Sequence, residues 1–264
     1  MSTRTARTYR LLTGALLATA VVAPAVAVHA EPIGCTMIWS VPQTITAPGV
    51  YCLKQDLYHT SGVPRDAILI EADDVVLDLN GHTLDGSALG PSGFTFGIYA
   101  FGRRNITIKN GTIRGFFYGI YLDDTTRPPV DSTGHVIEGI RADRNTCTGI
   151  VVAGRGVVVR RNLIVDTGGQ TVFGFDAWGW GMQIAGTGIR ILDNDIDTVI
   201  KRGAGVARGI QLTGAPDALV VGNRIVQADE GLFFDWASSG KYRDNLTSAV
   251  GARFIGGTDA GNNN

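Results

Sequence analysis

One short phrase recurs along the chain and limits what it can fold into: a glycine, an aliphatic residue, a variable residue, then a mostly apolar one. It reads Gly97-Ile98-Tyr99-Ala100, Gly119-Ile120-Tyr121-Leu122, Gly149-Ile150-Val151-Val152, Gly181-Met182-Gln183-Ile184, Gly209-Ile210-Gln211-Leu212 and Gly231-Leu232-Phe233-Phe234. The opening glycines lie 22, 30, 32, 28 and 22 residues apart. A second phrase follows most copies, alternating apolar residues that lead into an asparagine: Asn110, Asn162, Asn194 and Asn223. The stretch His135–Ile140 is a degenerate copy with Gly139 near the asparagine's place. Each phrase alternates with period two, the mark of a strand with one buried face. Strands this short are stable only when neighbouring repeats stack and continue one core. The expected architecture is all-β: a right-handed, single-stranded parallel β-helix of seven or eight rungs, the bare rung being the 22-residue spacing. At ~4.8 Å per rung such a rod is roughly 35 Å long. A leucine-rich repeat would show dense leucine at fixed spacing, and a β-sandwich would not repeat one glycine-aliphatic phrase with one asparagine corner.

The recurring asparagines are expected at tight corners, where Asn tolerates the left-handed backbone and its amide can bond to the next rung. That assigns Asn105-Ile-Thr, Asn110-Gly-Thr and Asn245-Leu-Thr to the repeat rather than to glycosylation. The inward phase places Ile120, Val152, Ile184, Ile210 and Leu232 in the core. Both ends of a solenoid expose strand edges and need covering. Residues 31–58 are expected to form an N-terminal cap, and 237–264 a C-terminal cap that ends in a frayed polar tail.

Residues 1–30 carry the pattern of an export signal. Arg4, Arg7 and Arg10 precede an apolar run from Leu11 to Val28, and Val28-His29-Ala30 offers a small-residue cleavage site. The remaining chain, from Glu31 on, is then a secreted or periplasmic single domain with no membrane span. Of the 23 basic and 24 acidic residues, three arginines fall in that leader. The rest is mildly acidic and has no electrostatic reason to bind nucleic acid. A monomer is expected. Cys35 and Cys52 flank the first strand-like stretch in an oxidising compartment and are expected to be bridged, while Cys147 is a small core residue.

The segments Ile45-Thr-Ala-Pro-Gly-Val-Tyr-Cys-Leu and Ala67-Ile-Leu-Ile-Glu-Ala-Asp-Asp-Val-Val-Leu-Asp-Leu-Asn-Gly-His-Thr-Leu, taken with the repeat, resemble the right-handed β-helix proteins of the pectate-lyase-like superfamily. That superfamily holds polysaccharide lyases, hydrolases, epimerases and non-enzymatic members, so the resemblance implies a fold more than a reaction. The Asn-Thr-Asp and Gly-His-Gly phrases of its polygalacturonase-like members are absent, as is the Asp-Pro-His of mannuronan epimerases. The resemblance also implies a ligand lying along one long parallel sheet, in a groove walled by inserted loops.

On that sheet the outward column reads Tyr99, Tyr121, Val151, Gln183, Gln211, Phe233, and the next reads Phe101, Asp123, Ala153, Ala185, Thr213, Asp235. Rings, amides and small residues in lines suit a sugar chain. The insertion 123–135, with Asp124, Arg127 and His135, follows its strand. Insertions 167–180 and 198–208 precede theirs and carry Asp176, Trp178, Trp180, Lys201, Arg202 and Arg208, so two walls are expected. Tyr121, Asp123, Lys201 and Arg208 are the catalytic candidates. The first two are types that move protons, and the cations would neutralise a substrate carboxylate. Tyr99, Asp176, Trp178, Trp180, Gln183, Gln211 and Asp235 are the substrate-binding candidates. A hydrolase would need Asp123 paired with Asp176 or Asp235. No metal site is assigned. The one run suggestive of calcium, Asp193-Asn-Asp195-Ile-Asp197, reads more simply as cross-rung ion pairs, Arg161 beside Asp193 and Arg224 beside Asp195. The expected function is a secreted, carbohydrate-active β-helix, a polysaccharide lyase or epimerase acting on a uronate-containing polymer. The alternative is a non-catalytic β-helix that binds glycans or the cell envelope.

Overall fold

The computed structural model describes residues 34–124 and 132–264. The expected leader 1–30, its expected cleavage site and Arg127 lie outside the described residues. Among the described residues every pairing between strands is parallel, apart from an isolated antiparallel bridge between Ala177 and Arg202, and each turn of the chain contributes in order to three stacks. In one turn Tyr118–Asp123 joins the first sheet, and the two halves of Val136–Asp143 join the second and third. Thr148–Ala153 then returns to the first sheet one rung on. The result is a right-handed parallel β-helix.

Four inward-facing ladders fill it. On the first sheet Ile98, Ile120, Ile150, Met182, Ile210 and Leu232 stand in register, beside Ala100, Leu122, Val152, Ile184, Leu212 and Phe234. Ile108, Ile137, Val159, Ile191 and Val220 line the second, and Ile113, Ala142, Ile164, Ile196 and Ile225 the third. All are buried. Burying one such aliphatic side chain stabilises by about 1.5–3 kcal/mol, so stacking is what makes short strands viable. The five expected core residues are among them.

The opening glycine has a steric cause. A Cβ on Gly97 would lie 2.5 Å from the carbonyl oxygen of Gly119 on the next rung, and one on Gly181 would lie 2.6 Å from that of Gly209. From Gly97 onward a bare α-carbon lets the chain turn into the first sheet against the carbonyl of the next rung. The glycine is buried together with the aliphatic residue that follows it, so strict alternation fails there. The residue before it therefore points outward.

The asparagine corner differs from expectation by one residue. The left-handed position is taken by Asn110, Gly139, Arg161, Asp193, Gly222 and Asp244, all with φ between 54° and 70°. The buried asparagines Asn162, Asn194, Asn223 and Asn245 come directly after and form a hydrogen-bonded ladder. Asn194 shows the pattern. Its backbone N–H and its Nδ2 both donate to Asn223 Oδ1, at 3.0 and 2.9 Å, while its own Oδ1 accepts both from Asn162 at 3.0 Å. Asn110 and Asn162 thus hold different posts, which the shared letter concealed.

The two end segments contribute strands of their own. From residue 34, Thr36–Ile38, Gln43–Ile45, Gly49–Leu53 and Leu57–Tyr58 already pair as rungs, so the coil begins where a cap was expected. At the other end, Gly240–Arg243 and Leu246–Ile255 continue the stacks. The terminal asparagines are tied in rather than frayed: Asn245 donates from N and Nδ2 to Asn263 Oδ1, each at 3.0 Å. Cys35 and Cys52 are bridged, with Cα atoms 5.9 Å apart, and Cys147 is free and buried. Among the described residues no helix is long and apolar enough to cross a membrane.

Candidate functional site

The first sheet presents three outward columns. The expected one holds: Tyr99, Tyr121, Val151, Gln183, Gln211 and Phe233 are in register. So does the next, where Phe101 pairs with Asp123 and Ala153, Ala185 and Thr213 follow one another. The column that sequence reading missed comes before the glycines: Asp66, Phe96, Tyr118, Thr148, Trp180, Arg208 and Glu230. The break in alternation at each glycine was the signal that could have found it.

An aromatic band covers the N-terminal half of this face. Phe96 stacks on Tyr118 at 5.4 Å, and Tyr118 meets Tyr121 at 4.8 Å. Phe94, from the segment before its strand, packs on Phe96 and Phe117. Thr148 leaves a gap in the column. Phe173 and Trp178, from the 167–180 insertion, bridge it: Phe117–Phe173 at 5.6 Å, Phe173–Trp178 at 5.4 Å, and Trp178 stacked on Trp180 at 5.7 Å. Trp180 is therefore part of the floor, and Trp178 is the wall. Phe94, Phe117 and Phe173 had not been singled out.

Beside the band, small residues open a cleft of about 120 Å³ lined by Tyr121, Asp123, Val151, Ala153, Gln183, Ala185 and Thr213. Pockets for whole drug-sized ligands run to about 300–1,000 Å³, so this cleft takes the edge of a ring and its substituents. Tyr121 O–H donates to Asp123 Oδ2 at 2.9 Å, and the Asp124 N–H donates to Asp123 Oδ1 at 2.7 Å. The carboxylate is thereby aimed, and a tyrosine–aspartate pair of this kind can hold or relay a hydroxyl proton. Burial, with the charges of Asp66 and Asp123, raises the Tyr99 phenol. Burial also raises the Asp66 carboxyl, against the pull of Arg65.

The two described ends of the 123–135 insertion are joined by a buried chain of hydrogen bonds. Asp124 Oδ2 accepts the Ser132 N–H at 3.1 Å, and Ser132 Oγ meets His135 Nε2 at 2.6 Å. His135 Nδ1 faces the Ile106 N–H at 3.2 Å, so the ring proton sits on Nε2 and Ser132 accepts it. Burial holds His135 down to about 4.

The remaining candidates are placed elsewhere or otherwise engaged. Arg208 does face outward. It pairs with Glu230, donates to Gln211 Oε1 at 2.9 Å and lies 3.9 Å over the Phe233 ring. Gln211 is buried in that network and donates to Thr213 Oγ1 at 3.1 Å, so it is a strut beneath the face rather than an open floor. Lys201 lies off the cleft, with Nζ 3.0 Å from Asp229 Oδ2. Asp176 Oδ1 accepts the Ala204 N–H at 2.7 Å and ties the two insertions together. Asp235 shares the Asp123 column but is consumed in a turn, accepting from Ala237 N–H and Ser238 Oγ at 3.1 and 2.6 Å. It is also four rungs from Asp123, ~19 Å at rung spacing, against the roughly 5–9.5 Å a pair of glycosidase carboxylates needs. Among the described residues no cluster of three or more metal-binding side chains forms, the 193–197 aspartates included. Asp195 pairs with Arg224 as expected, whereas Arg161 turns to Glu138 at 3.5 Å.

Three parallel stacks around one apolar core, with rings and a carboxylate gathered on a single outer face, define a parallel β-helix with a candidate ligand groove. Residues 96–264 match the right-handed β-helix region family, and the chain belongs to it. No curated protein sequence matches the chain. Among solved structures it is similar to the Dettilon tailspike protein, at TM-score 0.46 and 11% identity over 83% of this chain and 61% of that one. It is also similar to endopolygalacturonase I from Stereum purpureum complexed with two galacturonates, at 0.44 and 15% over 83% and 69%. A third is the catalytic domain of an α-1,3-glucanase in complex with nigerose, at 0.37 and 10% over 87% and 64%. The chain spans less than two thirds of the tailspike and glucanase chains, and the likeness is one of fold.

Proposed function

We propose that the protein is an exported β-helix that binds a neutral polysaccharide across its first sheet, the sugar rings lying on the aromatic band and their hydroxyls meeting Tyr121 and Asp123. The observation that carries this reading is the continuous run of rings from Phe94 to Trp180 beside the cleft. Aromatic faces bury the apolar side of a pyranose while aligned polar groups fix its orientation.

The uronate lyase or epimerase reading has less support. Its two cations, Arg208 and Lys201, are each paired with a carboxylate, Glu230 and Asp229, and Asp66 and Asp123 line the same face. A polyuronate would meet like charge there. Export accords with the Cys35–Cys52 bridge, which persists in oxidising compartments.

The test is affinity electrophoresis of the mature protein in gels containing neutral glucans, xylans and mannans, and in gels containing polygalacturonate and alginate. Retardation by a neutral polymer, lost in Trp180→Ala, is the expected result. Release of ultraviolet-absorbing unsaturated uronates would instead establish the lyase.

A further inference from the structure

Trp236 is the most exposed large apolar residue described, at 96%. The turn that carries it is held from several sides. Asp235 accepts from the Ala237 N–H and Ser238 Oγ within the turn, and from the Gly214 N–H of the preceding rung at 3.2 Å. Ser238 N–H closes the turn onto Asp235 O at 3.0 Å, and Ser238 Oγ accepts the Ala215 N–H at 3.0 Å. The indole is thus presented on a cross-linked support, with little backbone freedom left to lose on binding.

Its place in the repeat is specific. Leu212 pairs with Phe234, so Asp235 falls in the column of Asp123, Ala153, Ala185 and Thr213. The next position along is Gly154, Gly186 and Gly214 in the three preceding rungs and Trp236 in this one. Gly154 and Gly186 are buried and Gly214 is half-buried, so within these four rungs the one side chain standing out from this position is the Trp236 indole.

We infer that Trp236 is a distal subsite for the same polysaccharide, stacking on a sugar ring about four rungs from Asp123, so that the full ligand is a chain and not a mono- or disaccharide. This rests on the glycan-binding reading above. Four rungs are ~19 Å, and a pyranose unit advances a chain by about one rung spacing. A ligand touching both Asp123 and Trp236 therefore needs on the order of five units.

The probes are two- and six-unit oligomers of the cello, malto, xylo and manno series, titrated calorimetrically into the mature protein, Trp236→Ala, Trp236→Phe and Trp180→Ala. A six-unit oligomer should bind the wild type about tenfold more tightly than its two-unit counterpart. Trp236→Ala should abolish that gain without changing two-unit binding, and Trp236→Phe should keep part of it. The blue shift of wild-type indole emission should be larger with six units than with two, and the excess should vanish in Trp236→Ala. If Trp236→Ala binds six units as the wild type does while Trp180→Ala does not, the distal subsite is wrong and the glycan reading stands. If no oligomer of either length binds the wild type, both fall.

Discussion

Replacing Asn194 by alanine should be among the most damaging single changes available, although the residue touches no ligand. Its side chain is buried and sits mid-ladder. Deleting it leaves the Asn162 N–H without its acceptor and the Val159 carbonyl without the Nδ2 donor now at 3.0 Å. Asn162 Nδ2 keeps its bond to Ile137 O, and the Asn194 N–H keeps Asn223 Oδ1. One backbone N–H is thus orphaned in a dry interior at about 1–3 kcal/mol, and the Val159 carbonyl keeps only its ladder bond to the neighbouring strand; with a small void the total is near 3 kcal/mol. For a domain of this size that corresponds to a fall in Tm of about 6–12 °C. Asn263 makes the comparison, because it ends the ladder. Truncating it takes an acceptor from Asn245 and a donor from Tyr242 O, Gly261 O and Asp259, but at the surface end of the ladder, where water can stand in, so Asn263→Ala should cost about 1 kcal/mol. Urea denaturation of both variants, followed by circular dichroism at constant m-value, measures the difference. A midpoint for Asn194→Ala within 1 kcal/mol of wild type, or equal costs for the two variants, would refute the ladder's role.

Two further outcomes follow from buried groups. Cys52→Ser should cost about 3 kcal/mol by freeing the loop the bridge closes, and unreduced digests of the wild type should show Cys35 joined to Cys52 with Cys147 alkylatable only after unfolding. His135 is held near 4 by burial against 6.5 when free. The unfolded chain therefore takes up that proton first, so the stability the neutral ring contributes is complete above pH 6.5 and lost as pH falls toward 4, by about 3 kcal/mol. Denaturation midpoints between pH 7 and 4.5 should show this slope in the wild type and a shallower one in His135→Gln; parallel profiles would contradict it.

The fold was legible because stacking imposes its requirements rung after rung. The glycine phrase marks where a Cβ would strike the next carbonyl, and the inward phase follows from it. What failed at the site was register near the corners. Strict alternation makes Phe96, Tyr118 and Trp180 inward, whereas the buried glycine between them and the aliphatic column turns them out. Asp66 was invisible for another reason: its rung has Ala67 where the others have glycine. The partners that engage the two cations lie one rung away, Glu230 for Arg208 and Asp229 for Lys201. Read along the chain, 22 residues separate Arg208 from Glu230, the bare rung spacing itself, so that pair could have been found by stepping one period.

The same spacing bears on the class of ligand. Side chains in one outward column of a β-helix stand ~4.8 Å apart, so two like charges in successive rungs repel by roughly 1–3 kcal/mol at the dielectric of a protein surface. A column of cations long enough to follow a polyuronate accumulates that cost at every rung; the outward columns described above carry one cation, Arg208, with Glu230 set against it. Rings in a column attract instead, by about 0.5–1.5 kcal/mol per pair beyond their burial. A face built from Phe96, Tyr118 and Tyr121, and carried past Thr148 to Trp180 by Phe173 and Trp178, therefore strengthens the coil and presents an apolar track. Fold stability and a neutral ligand make the same demand of this sheet, whereas a charged one would set them against each other.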